Sequence, residues 1–286
     1  MFFPVSILPF VRHLFLFPSR FCLDAPLVAA GWALLLSRAC QPAEPGALRA
    51  VALFFIVWAV YLADRLLDGA SPEAGPRSDR HRFSAAHRRT LGILLSAAIV
   101  GCFGTGLIVV TKPLLLAAGW IAVGTGAYFL LFRLFARTTT TRLPLPGKEI
   151  VIAFCFTAGV TLGSGFEMDR SIDRFLFFSL AALFLANCLL ISLAESEVDR
   201  THDPAAWFAR CGRKSHWLIP ACFAVSTALI LAGATTGAFT RSVPISVGLS
   251  NALLTLLYLK RDSLEQNMQP LADGTLLLAW LFVPWI

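Results

Sequence analysis

Two pairs of acidic residues each follow a long apolar stretch. Asp64 and Asp68 are four residues apart in YLADRLLDG, and Glu195 and Asp199 are four residues apart in LAESEVDR. On a helix this spacing places both side chains on one face, with Cβ atoms about 5 to 6 Å apart. Adjacent carboxylates repel each other unless a cation lies between them, and Mg²⁺ prefers carboxylate and phosphate oxygens. All four residues are therefore candidate Mg²⁺ ligands and catalytic residues.

Four basic residues near these pairs are candidates for binding the diphosphate of a substrate, because Arg and Lys form charge-assisted hydrogen bonds with phosphate oxygens. Charged residues at helix ends can also simply extend to the membrane interface, or form surface ion pairs of little energetic consequence. The repeated spacing favours a shared cavity for Mg²⁺ and a diphosphate. The basic candidates are Arg65, Arg82, Lys148 and Arg200.

The composition indicates what must position these residues. The chain has 286 residues, of which 57% are hydrophobic and 14% are charged, and its mean hydropathy is +0.72. Soluble domains carry roughly a quarter charged residues. The apolar stretches approach the roughly 20 residues that a helix needs to cross a bilayer. The sequence therefore predicts an all-α integral membrane protein.

The apolar stretches predict about nine transmembrane helices in a single polytopic membrane domain. The first half, about 1–148, contains the motif 64–68, and the second half, about 149–286, contains the motif 195–199. The two motifs lie four spans apart, as expected for two related halves that meet at a central cavity. The predicted spans are about 21–37, 50–66, 91–111, 114–135, 149–165, 174–194, 217–236, 242–259 and 271–286.

Basic residues predict the orientation, because they concentrate in cytoplasmic loops. Of the 24 Lys and Arg residues, 18 lie in the N-terminal segment and in the loops after spans two, four, six and eight, and 6 lie on the other side. This places the N-terminus and both acidic motifs in the cytoplasm and the C-terminus outside. Attraction to anionic lipid accounts for the net charge of +7, without a nucleic-acid partner.

The motifs and their placement resemble the UbiA superfamily of intramembrane prenyltransferases. DRLLDG matches the core of the family's first aspartate-rich motif, which follows its second helix. Glu195 and Asp199 fall on the second motif, which follows its sixth helix, with Glu at an Asp position. RLPLPGKE, which contains Lys148, is similar to a lysine-bearing loop of the family.

The resemblance implies a nine-helix bundle around a central cavity, located in the inner membrane of a bacterium. It implies an enzyme that uses Mg²⁺ to transfer an isoprenyl group from an isoprenyl diphosphate to a lipophilic acceptor. An allylic cation would form there, and aromatic faces can stabilise it. Candidate aromatic walls are Phe54, Phe55, Trp58, Trp120 and Phe184, although most such residues serve packing or face lipid.

Two positions depart from the family pattern and leave alternatives open. Val60 stands where the family has the asparagine of its first motif, and Ile191 stands where it has a tyrosine. These departures motivate a catalytically divergent protein that binds a lipid or a quinone. A small-solute transporter is a further alternative, although transporter sites usually lie near the bilayer midplane. Arg20 and Asp24 form another pair four residues apart, which lines the same cavity mouth or only anchors the first helix.

Overall fold

The computed structural model of the protein describes residues 17–40, 46–68, 79–109, 111–136, 147–165, 171–202, 206–235, 240–264 and 267–285. The regular elements within these ranges are helices, joined by turns and by two short 3₁₀ segments, Arg213–Trp217 and Val283–Trp285. The helices are α1 Asp24–Cys40, α2 Gly46–Asp68, α3 Asp79–Ala86, α4 Arg88–Val109, α5 Lys112–Ala136, α6 Lys148–Ser164, α7 Ser171–Ala194, α8 Ser196–His202, α9 Trp207–Cys211, α10 Leu218–Ala234, α11 Ser242–Leu259, α12 Arg261–Leu264, α13 Met268–Leu276 and α14 Ala279–Phe282.

Five helical stretches within the described residues are long and apolar enough to cross a membrane, which supports the predicted integral membrane protein. Helices α1 and α6, at 17 residues each, are shorter. The count of nine membrane spans stays a prediction, as do the division into two halves and the orientation. The five stretches are Gly46–Leu67, Arg88–Val109, Arg174–Ala194, Arg213–Ala234 and Ser242–Leu259.

Helix α7 lies at the centre of the bundle. Its residues Leu176, Leu180, Leu183 and Leu190 are completely buried. They recur at intervals of three, four and seven residues, which places them on one helix face. Helices α6, α10, α11 and α13 pack around α7. Asn187 occupies a position in the same buried stripe, so a polar amide lies at the centre of an apolar core.

The last predicted span differs from the others because the structure divides it. Helix α13 ends at Leu276, a turn follows at 277–278, and α14 begins at Ala279. A helix break inside a bilayer requires other partners for the freed backbone groups. The indole Nε1 of Trp32 donates a hydrogen bond to the carbonyl oxygen of Leu276 at 3.0 Å. Helix α1 thus stabilises the break.

Helix α1 also joins the two ends of the described chain. It packs against α2 and α6, and against α13 and α14 as well. Trp280 Nε1 donates to the carbonyl of Leu27 at 2.9 Å, and Arg38 Nη1 donates to the carbonyl of Val283 at 2.9 Å. The Trp280 indole lies so close to Gly31 that a side chain at this position would collide with it. Glycine is therefore required where α1 meets the C-terminal helices.

Candidate functional site

The first acidic motif lies in the last two turns of α2. Asp64 and Asp68 are both within the helix, the side chain of Asp64 is exposed, and Arg65 between them is buried. The side chain of Asp68 lies outside the described part of the structure. The C-terminal end of a helix carries partial negative charge, which disfavours carboxylates there. Their presence at this end is consistent with a bound cation.

The second motif spans the junction between α7 and α8. The backbone N–H of Glu195 donates to the carbonyl of Ile191 at 3.0 Å, and that of Asp199 donates to the carbonyl of Glu195 at 2.9 Å. Helical hydrogen bonding therefore continues through the junction and keeps the two acidic residues one turn apart. Both side chains are partly buried, whereas that of Glu197 between them is exposed.

Tyr61 and Cys188 connect the faces that carry the two motifs. Both groups lie deeper in the bundle, and they are close enough to interact electrostatically. Asp64 follows Tyr61 by three residues, and Glu195 follows Cys188 by seven, so each acidic residue shares a helix face with the deeper group. The two motif-bearing faces of α2 and α7 are thus directed towards a common interior.

The four predicted phosphate-binding residues occupy different environments. Lys148 is the first residue of α6, is partly buried, and interacts electrostatically with Cys188. Arg65 is buried beside the first motif, whereas Arg82 is exposed on the short helix α3. The side chain of Arg200 lies outside the described residues. Lys148 is therefore linked electrostatically to a group of the common interior, Cys188.

Sequence reasoning missed two buried carboxylates, Glu149 and Asp273. Glu149 is 2% exposed and accepts a hydrogen bond from the backbone N–H of Trp207 at 2.8 Å, which ties α6 to α9. Asp273 accepts a hydrogen bond from Asn187 Nδ2 at 2.9 Å, which ties α13 to α7. Asp273 is the sole acidic residue of the span 271–286. A single carboxylate in an apolar span is the sequence feature that could have identified it as a residue of the interior.

The alternative interpretations of Arg20 and Asp24 are resolved by their different environments. Asp24 is the first residue of α1, is buried, and interacts electrostatically with Tyr61, so it lines the common interior. Arg20 is exposed, and its guanidinium lies 5.8 Å from the centre of the Phe83 ring. The two residues therefore differ in role despite their helical spacing.

The aromatic candidates also occupy different environments. Phe184 is buried on α7, four residues before Cys188, with its ring centre 4.9 Å from that of Phe156 and 6.0 Å from that of Trp32. Trp120 is 75% exposed on α5, so it is not a wall of the interior. Phe54, Phe55 and Trp58 contact one another on α2, with ring centres 5.5 to 6.5 Å apart.

Comparison with known proteins identifies the fold. No protein-family model matches the sequence. No curated protein matches it either. Among solved structures, the apo structure of a UbiA homolog from Aeropyrum pernix K1 superposes with a TM-score of 0.57, covering 93% of this chain and 98% of that chain at 18% sequence identity. The chain has a UbiA-like fold. The resemblance inferred from the two acidic motifs is thus supported by an independent structural match over nearly the whole chain.

Proposed function

We propose that the protein is a UbiA-type prenyltransferase that moves an isoprenyl group from an isoprenyl diphosphate to a lipophilic acceptor in the membrane, using Mg²⁺. The observation that carries this proposal is the placement of the two acidic motifs. They lie at the ends of helices whose motif-bearing faces are directed towards one interior, in a UbiA-like fold. The proposal includes membership of the UbiA superfamily and a location in a bacterial inner membrane.

The donor types suit Mg²⁺, but within the described residues no three His, Cys, Asp or Glu side chains are grouped closely enough to hold a metal ion. We therefore propose that the motif carboxylates bind Mg²⁺ together with the substrate phosphates. Asp64, Glu195 and Asp199 offer carboxylate oxygens at the ends of α2 and α7, and Asp68 completes the first pair in sequence. Hard cations such as Mg²⁺ bind one or two carboxylates together with substrate phosphates. When bound, Mg²⁺ would supply Lewis-acid stabilisation of the negative charge that develops on the departing diphosphate.

The chain's own basic residues would hold the diphosphate. Lys148, at the start of α6, is tied electrostatically to the interior, and Arg65 is buried within the first motif. Positive groups fixed before the reaction stabilise developing negative charge without reorganisation. Arg82 and Arg200 are further proposed contacts, on the segments that follow the two motifs.

The interior walls would protect the reacting isoprenyl carbon. Departure of diphosphate leaves an allylic cation, which water would capture and destroy. Phe184 and Phe156 meet edge to face, with an interplanar angle of 79°, on the helices that also carry Cys188 and Lys148. Aromatic faces attract cations through their ring quadrupole. These two rings are the proposed shield.

The test is diphosphate release by the purified full-length protein. Isoprenyl diphosphates of several chain lengths are supplied in detergent or nanodiscs, with a membrane lipid extract as the acceptor source, with Mg²⁺ or with EDTA. We expect prenylated lipid and diphosphate to form together only with Mg²⁺. The exposed variant Asp262→Asn should behave like the wild type, because Asp262 is 81% exposed. Binding of the diphosphates that is independent of Mg²⁺, with no product, would contradict the proposal.

A second candidate is a catalytically divergent UbiA-like protein that binds a lipid or a quinone. Val60 favours it, because this side chain, 60% exposed, lies one turn before Asp64 on the same helix face and provides no metal ligand. This candidate predicts saturable binding of a quinone in the presence of EDTA and no diphosphate release under any condition in the same assay.

A further inference from the structure

A group of polar side chains, some buried and some half-buried, lies deeper than the acidic motifs. Its members come from four helices: Asp24 on α1, Tyr61 on α2, Asn187 and Cys188 on α7, and Asp273 on α13. Tyr61 interacts electrostatically with Asp24, Asp273 and Cys188, and Asn187 donates a hydrogen bond to Asp273. We call these five residues the interior polar cluster. It contains none of the proposed Mg²⁺ ligands.

Two members of the interior polar cluster have oxygen atoms without a protein hydrogen-bond partner. Asp24 is 5% exposed; its Oδ1 accepts the backbone N–H of Ala25 at 3.0 Å, and its Oδ2 has no partner. Asn187 is 6% exposed; its Nδ2 donates to Asp273, and its Oδ1 has no partner. Buried polar atoms are nearly always hydrogen-bonded, so two such acceptors indicate a ligand that donates hydrogen bonds.

The backbone before α1 holds Asp24 in this position. Cys22 has a φ of 57°, which is uncommon for a residue with a side chain, and it is buried. The turn is fixed by a hydrogen bond from the Leu23 N–H to the Pro18 carbonyl at 2.7 Å. The chain thus keeps a strained conformation immediately before the residue whose oxygen faces the cluster, which is typical of functional sites.

The charge of the cluster restricts what the ligand can be. Asp24 and Asp273 are carboxylates and the two unpartnered atoms are acceptors, so an anionic group placed at these two atoms would be repelled and would find no donor in them. The cation Lys148 interacts with Cys188 instead. Leu62 follows Tyr61 directly and Phe184 precedes Asn187 by three residues, and both apolar side chains are buried. Within the described residues, no three His, Cys, Asp or Glu side chains are placed to hold a metal ion. A neutral donor attached to an apolar body fits these features.

We infer that the interior polar cluster binds the neutral hydroxyl head of a lipophilic molecule, which donates to Asp24 Oδ2, and that it rejects a carboxylate head. Under the proposed prenyl transfer, on which this assignment of role rests, that molecule is the acceptor. Tyr61 precedes Asp64 by three residues, a rise of about 4.5 Å along α2. The interior polar cluster therefore begins about one helical turn along α2 from the proposed Mg²⁺ ligand Asp64.

The experiment compares three probes that share one tail and differ in head group: 4-nonylphenol, 4-nonylbenzoate and 4-nonylbenzylamine. Binding to the full-length protein in nanodiscs is measured at pH 7 by tryptophan fluorescence, without Mg²⁺ or any diphosphate, and empty nanodiscs correct for partitioning. We expect the phenol to bind at least about tenfold more tightly than the benzoate, the effect of one hydrogen bond to a charged group. Equal or tighter binding of the benzoate, or tighter binding of the amine, overturns the inference.

Two variants assign the binding to the cluster. Asp24→Asn keeps a side chain that caps a helix N-terminus well, so α1 should fold, and it should lose most of the preference for phenol over benzoate. Asp273→Asn keeps a group that can accept from Asn187, and it should weaken the rejection of the benzoate. Asp262→Asn, which is exposed, should match the wild type. If all three variants match the wild type, the inference is wrong.

Failure of this inference can be distinguished from failure of the proposed function, because diphosphate release is measured on the same preparations. Loss of prenyl transfer with the phenol preference intact would remove the acceptor role and leave the binding site. Prenyl transfer without any phenol preference would leave the enzyme and remove the site.

Discussion

The helices that carry the two acidic motifs differ in how firmly the bundle holds them. Helix α7, which precedes the second motif, is surrounded by four other helices and buries a continuous stripe of leucines. Helix α2, which carries the first motif, leaves Val51, Ile56, Val60 and Leu67 exposed. The second motif therefore has its position set by the core, whereas the first belongs to a helix with exposed residues on the side next to Asp64. One half of the proposed site is fixed, and the other is more accessible.

The largest expected effect tests whether the two motifs form one site. Asp64→Asn and Asp199→Asn should each lower Mg²⁺-dependent diphosphate release by about 1,000-fold, because each removes charge that holds the metal at the developing negative charge. The double variant should lose little more than either single variant, since residues that act as a unit are not additive. Losses that multiply in the double variant would show two independent sites. Asp262→Asn is the matched control.

The next effect concerns the stability of the two helices. Leu190→Ala on α7 should lower the free energy of unfolding by about 2 to 5 kcal/mol, because Leu190 is completely buried and the substitution leaves a cavity. Leu67→Ala on α2 should change it by less than about 0.5 kcal/mol, since Leu67 is 53% exposed. Unfolding by denaturant in mixed micelles measures both. Equal losses would contradict the contrast between a fixed and an accessible half.

The smallest effect tests Val60, the position where the UbiA pattern has an asparagine, on the accessible half of the proposed site. Val60→Asn places an amide oxygen one turn before Asp64, and the exposed position accepts it without loss of packing. We expect Mg²⁺ affinity, followed by titration in the presence of an isoprenyl diphosphate, to rise several-fold. The comparison variant Ile191→Tyr enlarges a residue packed against the core, so it should cost stability without a comparable gain. A Val60→Asn protein with unchanged affinity would place this position away from the metal.

The sequence predicts the long helices because an apolar stretch of membrane length has few stable backbone conformations in lipid other than a helix. The local spacing of Glu195 and Asp199 follows from the same periodicity. The break between α13 and α14 is not predictable in this way, because Trp32, which stabilises it, lies 244 residues from Leu276 in sequence. An apolar composition is equally compatible with a continuous and a divided helix.

The interior of the proposed site is equally hard to predict from the sequence. Asn187 and Asp273 are 86 residues apart, and only the packing of α7 against α13 brings them together. Glu149 stands beside Lys148 in a loop sequence, where a surface carboxylate is the ordinary expectation, yet it is buried against the start of α9. Motif spacing predicts which residues share a helix face. It does not predict which faces meet.

The hydrogen bonds from Trp32 and Arg38 to the C-terminal helices have a consequence for biogenesis. Their acceptors, Leu276 and Val283, follow the donors by 244 and 245 residues, so the ribosome adds them long after α1. Until those carbonyls emerge, α1 lacks the partners on one of its sides, and Asp273 cannot meet Asn187. The newly inserted chain therefore passes through a stage in which most of its helices are in the membrane while its polar interior is still open. The interior polar cluster is complete only once α13 has been synthesised and has packed against α7.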